Sequence, residues 1–137
     1  EEKSRLTAQY LKWSLDFFRL GREEASAILA GCARRDHHHI ILAGNSDFAE
    51  IFIMSAMDYP VTIASIFDPT VKDGKRLRTP INANVSMDAG MIYILTEIAQ
   101  PQRVWDHLRA HGVAAEAIII PRLLNFRPQQ GEGASCG

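Results

Sequence analysis

The stretch IILAGNSDFAEIFIMSAMDYPVTIASIFD, residues 40–68, decides the fold. Its apolar run Ile40, Ile41 and Leu42 enters the turn Gly44-Asn45-Ser46, and a segment of helical period leads to a second apolar run that ends in Asp68. Strand, turn, helix and strand in that order open a dinucleotide-binding βαβ unit. In such a unit the first glycine makes the tight turn, the second admits a pyrophosphate to the backbone, and the third position needs a small residue for helix–strand packing. Those positions hold Gly44, Ser46 and Ala49. Turn and packing are provided for, but a serine stands where the phosphate would approach.

Working outward, the runs Val61 to Phe67, Met91 to Leu95 and Ala117 to Ile120 are almost continuously apolar and rich in β-branched residues, as strands covered on both faces must be. Helical period occupies Ser46 to Tyr59 and Pro101 to His111, the second with proline at its start and Gly112 at its end. The alternation predicts an α/β class, a Rossmann-like three-layer fold with a parallel sheet of four to five strands. Between Pro69 and Gly90 the pattern weakens to a turn around Gly74 and a short strand opened by Pro80-Ile81, with a loop in place of a crossover helix.

Ahead of the sheet, Leu6, Tyr10, Trp13, Phe17 and Leu20 recur at helical spacing, and Leu11, Leu15 and Phe18 widen the stripe. An added N-terminal amphipathic helix is expected, broken or bent at Gly21. Its aromatic face covers the sheet or pairs with a second copy. The expected domain plan is a helical segment over 1–36, a Rossmann-like domain over 37–127 and a disordered, Gly-rich tail over 128–137.

Fifteen basic and sixteen acidic residues give a formal charge of −1, which creates no field to hold a polyanion, so direct nucleic-acid contact is not expected. The two cysteines, Cys32 and Cys136, read as reduced thiols in a cytoplasmic protein rather than a disulfide framework. No apolar run suits a bilayer. The chain begins at Glu1 without methionine, and a longer parent protein is expected.

A doubly wound sheet places its ligand crevice at the strand carboxyl ends, which sets Gly44-Asn45-Ser46 opposite Thr96-Glu97. The candidate cofactor-binding residues are therefore Gly44, Asn45, Ser46, Asp68 and Thr96. Asp68 has the spacing of an acid that accepts a ribose hydroxyl, and equally that of a turn residue before Pro69. Asp47 and Glu50 resemble an acidic capping pair at the start of the following helix; they satisfy its terminus, each interacts with the macrodipole by ~0.3–1 kcal/mol, and a phosphate at the same end meets like charge. Lys72, Lys75, Arg76 and Arg78 form a basic loop that is either solvated or folded back on an anionic ligand, and Arg122 is a further candidate phosphate contact.

Catalysis finds no support. None of Tyr10, Tyr59 and Tyr93 has a lysine at the fourth following position, no serine lies in G-x-S-x-G, and no nucleophile–base constellation is evident. The consecutive His37, His38 and His39 point to alternate faces on entering a strand and do not converge on a metal. His107 and His111 share a helix face without the glutamate of HExxH and read as solvated.

The stretch Leu42 to Ile51 resembles the Rossmann-like domain of a group of bacterial winged-helix transcriptional regulators, some associated with exopolysaccharide genes, which carry a similar Gly-x-Ser/Gly-Glu/Asp-x-Ala-Glu-Ile turn. The likeness runs on through Ile66-Phe67-Asp68, the connection from Gly74 to Pro80-Ile81, the strand ending at Thr96 and the helix from Pro101 to Gly112. The chain also resembles, more distantly, the NAD(P)-binding core of nucleotide-sugar-modifying enzymes. The first resemblance implies a non-catalytic, homodimeric sensor of a nucleotide or nucleotide-sugar-like metabolite. The second implies an NAD-binding fragment of an enzyme. A degenerate module used only for assembly is the third reading.

Overall fold

The computed structural model describes residues 2–71, 74–86 and 90–129, with side chains from Leu15 onward. Lys72, the side chains of Leu6, Tyr10 and Trp13, Cys136 and most of the expected disordered tail lie outside the described residues.

The described residues form six strands and three α-helices. Helix α1 (Glu2–Arg34) leads into β1 (His39–Ala43), α2 (Asp47–Ala56) and β2 (Thr62–Phe67). There follow β3 (Lys75–Arg76), β4 (Thr79–Asn82), β5 (Ile92–Leu95), α3 (Pro101–Ala110) and β6 (Ile118–Ile119), and a 3-10 turn at Arg122–Leu124. The sheet order is β3-β4-β2-β1-β5-β6, and every pairing is parallel except β3 with β4. The chain is thus α/β with a mostly parallel sheet.

Two expectations are corrected. Among the described residues five strands run parallel, including β4 at the expected Pro80-Ile81, which docks on β2 with Ile66 opposite Ile81, and a sixth beyond the expected four to five, β3, pairs antiparallel with β4. Nor is α1 broken at Gly21. A Cβ there would stand 3.0 Å from Ile51 Cδ1 and 3.6 Å from both Phe48 and Leu123, so the glycine lets α2 approach an unbroken helix.

Alternation along β1 divides the core. Ile40 and Leu42 face the layer formed by α1 and α2, where Ala25, Leu29, Cys32, Phe48 and Phe52 are buried. Ile41 and Ala43 face α3, through Val104, Trp105 and Leu108. Both faces of the central strands are covered, which explains their unbroken apolar runs. At the rim of the α1–α2 layer, Phe17 meets Phe48 edge to face with centroids 5.9 Å apart, and Phe48 meets Phe52 at 5.1 Å.

Candidate functional site

The carboxyl ends of β1, β2 and β5 bring the five candidate residues to one end of the sheet. The backbone at that end is tied on both sides. Gly44 N donates to Phe67 O at 3.1 Å, while Thr96 N and Glu97 N donate to Ala43 O at 3.0 and 3.1 Å. Side chains add a second layer: Thr96 Oγ1 donates to Gly44 O at 2.7 Å, and Ser46 Oγ donates to Thr96 O at 2.6 Å. Thr96 is fully buried in this arrangement.

Gly44 has a specific steric task here. Its φ is +140°, and a Cβ would lie 2.2 Å from Glu97 N and 2.5 Å from Glu97 Cα. Backbone of the β5 loop therefore rests directly on Gly44, at the position that makes the tight turn in a dinucleotide site. Glycine is needed at that position whether or not any ligand is bound.

The start of α2 is also engaged from within. Ser46 is the N-cap, in extended conformation, and its Oγ accepts from Ala49 N at 3.3 Å. This corrects the expectation that Asp47 and Glu50 satisfy the terminus. Their carboxylates instead meet Arg76, which reaches back from β3. Its Nε donates to Asn45 Oδ1 at 2.6 Å, its Nη1 forms a short contact with Glu50, and Asp47 stands 3.7 Å away. The guanidinium is half-buried over the helix terminus where an anion would sit. Of the basic loop, Arg76 is the member that folds back, whereas Lys75 and Arg78 are exposed.

Asp68 turns its carboxylate into its own loop. Oδ1 accepts from Thr70 N at 2.9 Å and from Thr70 Oγ1 at 2.7 Å, an Asx-type turn. Arg122 is exposed and uses its backbone N–H to bind the Glu24 carboxylate at 2.6 Å, with Leu123 N at 2.7 Å beside it. Glu24 thereby caps the 3-10 turn and holds it to α1.

His107 and His111 are not simply solvated. Their rings stack at 4.4 Å, and His107 lies 5.2 Å from the Phe67 ring. Desolvation, followed by the charges of His111 and Arg103, lowers the His107 pKa from its ordinary 6.5. His38 Nδ1 lies 2.7 Å from Pro60 O, which engages one member of the histidine run in a local contact. Among the described residues, no three His, Cys, Asp or Glu side chains converge as a metal set, and no helix is long and apolar enough to cross a membrane.

A wide groove lies away from the strand ends, beside α1. It is about 820 Å³ in volume, and its walls include Leu20, Ala27, Ile28 and Gly31 of α1 with Ile119 and Leu123 opposite. The strand-end residues do not line it. No protein-family model, curated protein or solved structure matches the chain.

Proposed function

We propose that this chain is a non-catalytic, Rossmann-like assembly domain of a cytoplasmic bacterial regulator, which self-associates as a homodimer. The reading is carried by the strand-end junction. In a working dinucleotide site the glycine turn and the helix terminus stand open to phosphate. Here Ser46 stands at the position that would admit phosphate and is bound to Thr96 O and Ala49 N, and Arg76 is bound to Asn45 and Glu50 over the same terminus. Inserting a pyrophosphate would break these bonds and set it beside Asp47 and Glu50. The resemblance to winged-helix regulators supports the regulatory context.

Arg76 favours a second reading, a sensor of an anionic metabolite. Its guanidinium is held by side chains alone, so a multiply charged ligand could take it from Glu50 and Asn45. Titration of the purified chain with NAD, NADP and a set of nucleotide sugars, followed by thermal unfolding, separates the two. The assembly reading predicts a dimeric mass and no shift. A ligand at 100 times its Kd adds about 2.7 kcal/mol. A shift of that size, lost in Arg76→Met, would establish the sensor in its place.

A further inference from the structure

We infer that the cleft between α1 and α2 binds a small zwitterion, a free α-amino acid with an apolar side chain. The inference goes beyond the assembly reading and does not rest on it.

Helical spacing builds the cleft. Gly21 brings α1 against Ile51, and Phe18 and Arg22, one turn apart, flank that contact and form the α1 wall. From α2 come Ile51, Met54, Ser55 and Asp58, at the three- and four-residue spacing that places side chains on one helix face. Asp58 lies just past the end of α2 and keeps to that face, because its N–H still donates to Ser55 O at 3.2 Å. The space is about 210 Å³. At ~30 Å³ per water in the liquid it has room for about seven waters, the size of a single amino acid. It falls below the ~300–1,000 Å³ of drug-sized pockets, so a nucleotide does not fit.

Ser55 supplies the observation that points to a ligand. It lines the cleft and is only 8% exposed. A serine inside a helix has two usual outlets for its hydroxyl, open solvent or the carbonyl four residues earlier. Ser55 is too buried for the first, and it makes neither the second nor any other side-chain hydrogen bond among the described residues. Buried hydroxyls are nearly always partnered. This oxygen is not sealed within protein; it opens on the cleft, where a bound polar group reaches it.

Charge fixes the class of that ligand. The neighbouring cations Arg19 and Arg76 are matched to Asp16 and Glu50. Arg22 and Asp58 are matched to nothing among the described residues, and not to each other. Glu50 also borders the cleft, but Arg76 holds its carboxylate. The walls therefore present one free guanidinium and one free carboxylate around Phe18, Ile51 and Met54. An α-amino acid answers that set group for group. Its carboxylate takes the Arg22 guanidinium and the Ser55 hydroxyl, its ammonium takes Asp58, and its side chain lies on the apolar residues. A simple anion or cation leaves one of the two wall charges unanswered. Met54, flexible and 59% exposed, lets the apolar wall adapt to side chains of different shape.

The test is isothermal titration calorimetry of the full chain with leucine, methionine and phenylalanine. The one that binds most tightly is then compared with its amine analogue, which lacks the carboxylate, and its acid analogue, which lacks the ammonium. Expected is one site per chain, with each analogue weaker by about 10-fold or more, the loss of a hydrogen-bonded charge. Arg22→Gln should erase the gap between amino acid and amine while keeping the gap to the acid, and Asp58→Asn should do the reverse. Both side chains are exposed, so circular dichroism and the urea midpoint should not change. Ser55→Ala should weaken binding without lowering the urea midpoint, since the hydroxyl makes no bond in the free chain. No binding of any of the three at millimolar concentration, an analogue that binds as well as its parent, or binding indifferent to both Arg22→Gln and Asp58→Asn overturns the inference and leaves the assembly reading as it stands.

Discussion

Replacing Gly44 by alanine tests whether the glycine serves the fold or a ligand. The new Cβ would stand 2.2, 2.5 and 2.6 Å from Glu97 N, Glu97 Cα and Thr96 C. Carbon contacts settle near ~3.5–4.0 Å, so the β5 loop must withdraw by about 1 Å or more. All three obstructing atoms are backbone and cannot rotate away. Holding a non-glycine residue at a φ of +140° adds about 1–3 kcal/mol. Withdrawal stretches the Thr96 and Glu97 bonds to Ala43 O and the side-chain bonds between Ser46, Thr96 and Gly44. Each contributes about 0.5–1.5 kcal/mol net. Losing two of them with the strain gives about 2–6 kcal/mol, a large share of the ~5–15 kcal/mol of a typical domain. Urea unfolding followed by circular dichroism reads this directly as a fall in midpoint. Gly31→Ala serves as control: its Cβ meets nothing closer than 3.9 Å, and the substitution should add about 0.5–1 kcal/mol to the stability of a single copy. If Gly44→Ala cost less than about 1 kcal/mol, the steric account of this junction would be wrong, and the glycine would have to be explained by a ligand.

Further outcomes follow from the same geometry. Ser46→Ala removes the cap of α2 and the bond to Thr96 O, and should cost about 1–2 kcal/mol in urea unfolding. Cys32 is 1% exposed, and burial raises its pKa above the ordinary 9.0, so it should resist alkylation in the native protein and react in step with unfolding. The folded state disfavours protonation of His107, whose pKa is lowered from 6.5. Above that value both states are neutral at this site and nothing changes; as pH falls below it, the unfolded chain takes up the proton first and stability drops, until pH passes the lowered folded value. Thermal unfolding across this range should show a decline that His107→Gln reduces, and an identical decline in the variant would refute the assignment.

The α/β class and the central strands were legible because β1, β5 and the second half of β2 are buried on both faces, which forces apolar runs that no loop needs. The pair β3–β4 was only half legible. Two residues are too few for a period, and Pro80 sits within the second strand, where its missing N–H weakens the signal. Gly44 could be recognised as a turn glycine. Its contact with Glu97 could not, because backbone approaching backbone leaves no mark on side-chain identity. Arg76 was hidden for a different reason: its partners Asn45 and Glu50 lie 31 and 26 positions away, and a basic loop looks the same solvated or folded back. The acidic start of α2 was visible, but the serine cap left those acids free to bind an arginine. On α1, Gly21 and Gly31 are alike in sequence and opposite in surroundings, a difference that packing alone reveals.

The measurement that bears most directly on the assembly account is sedimentation equilibrium of the unmodified chain over a wide concentration range, with and without saturating nucleotides. The account predicts twice the 15.3 kDa chain mass, independent of nucleotide. A mass of one chain at every concentration, or a dimer that forms only when a nucleotide is present, would contradict it.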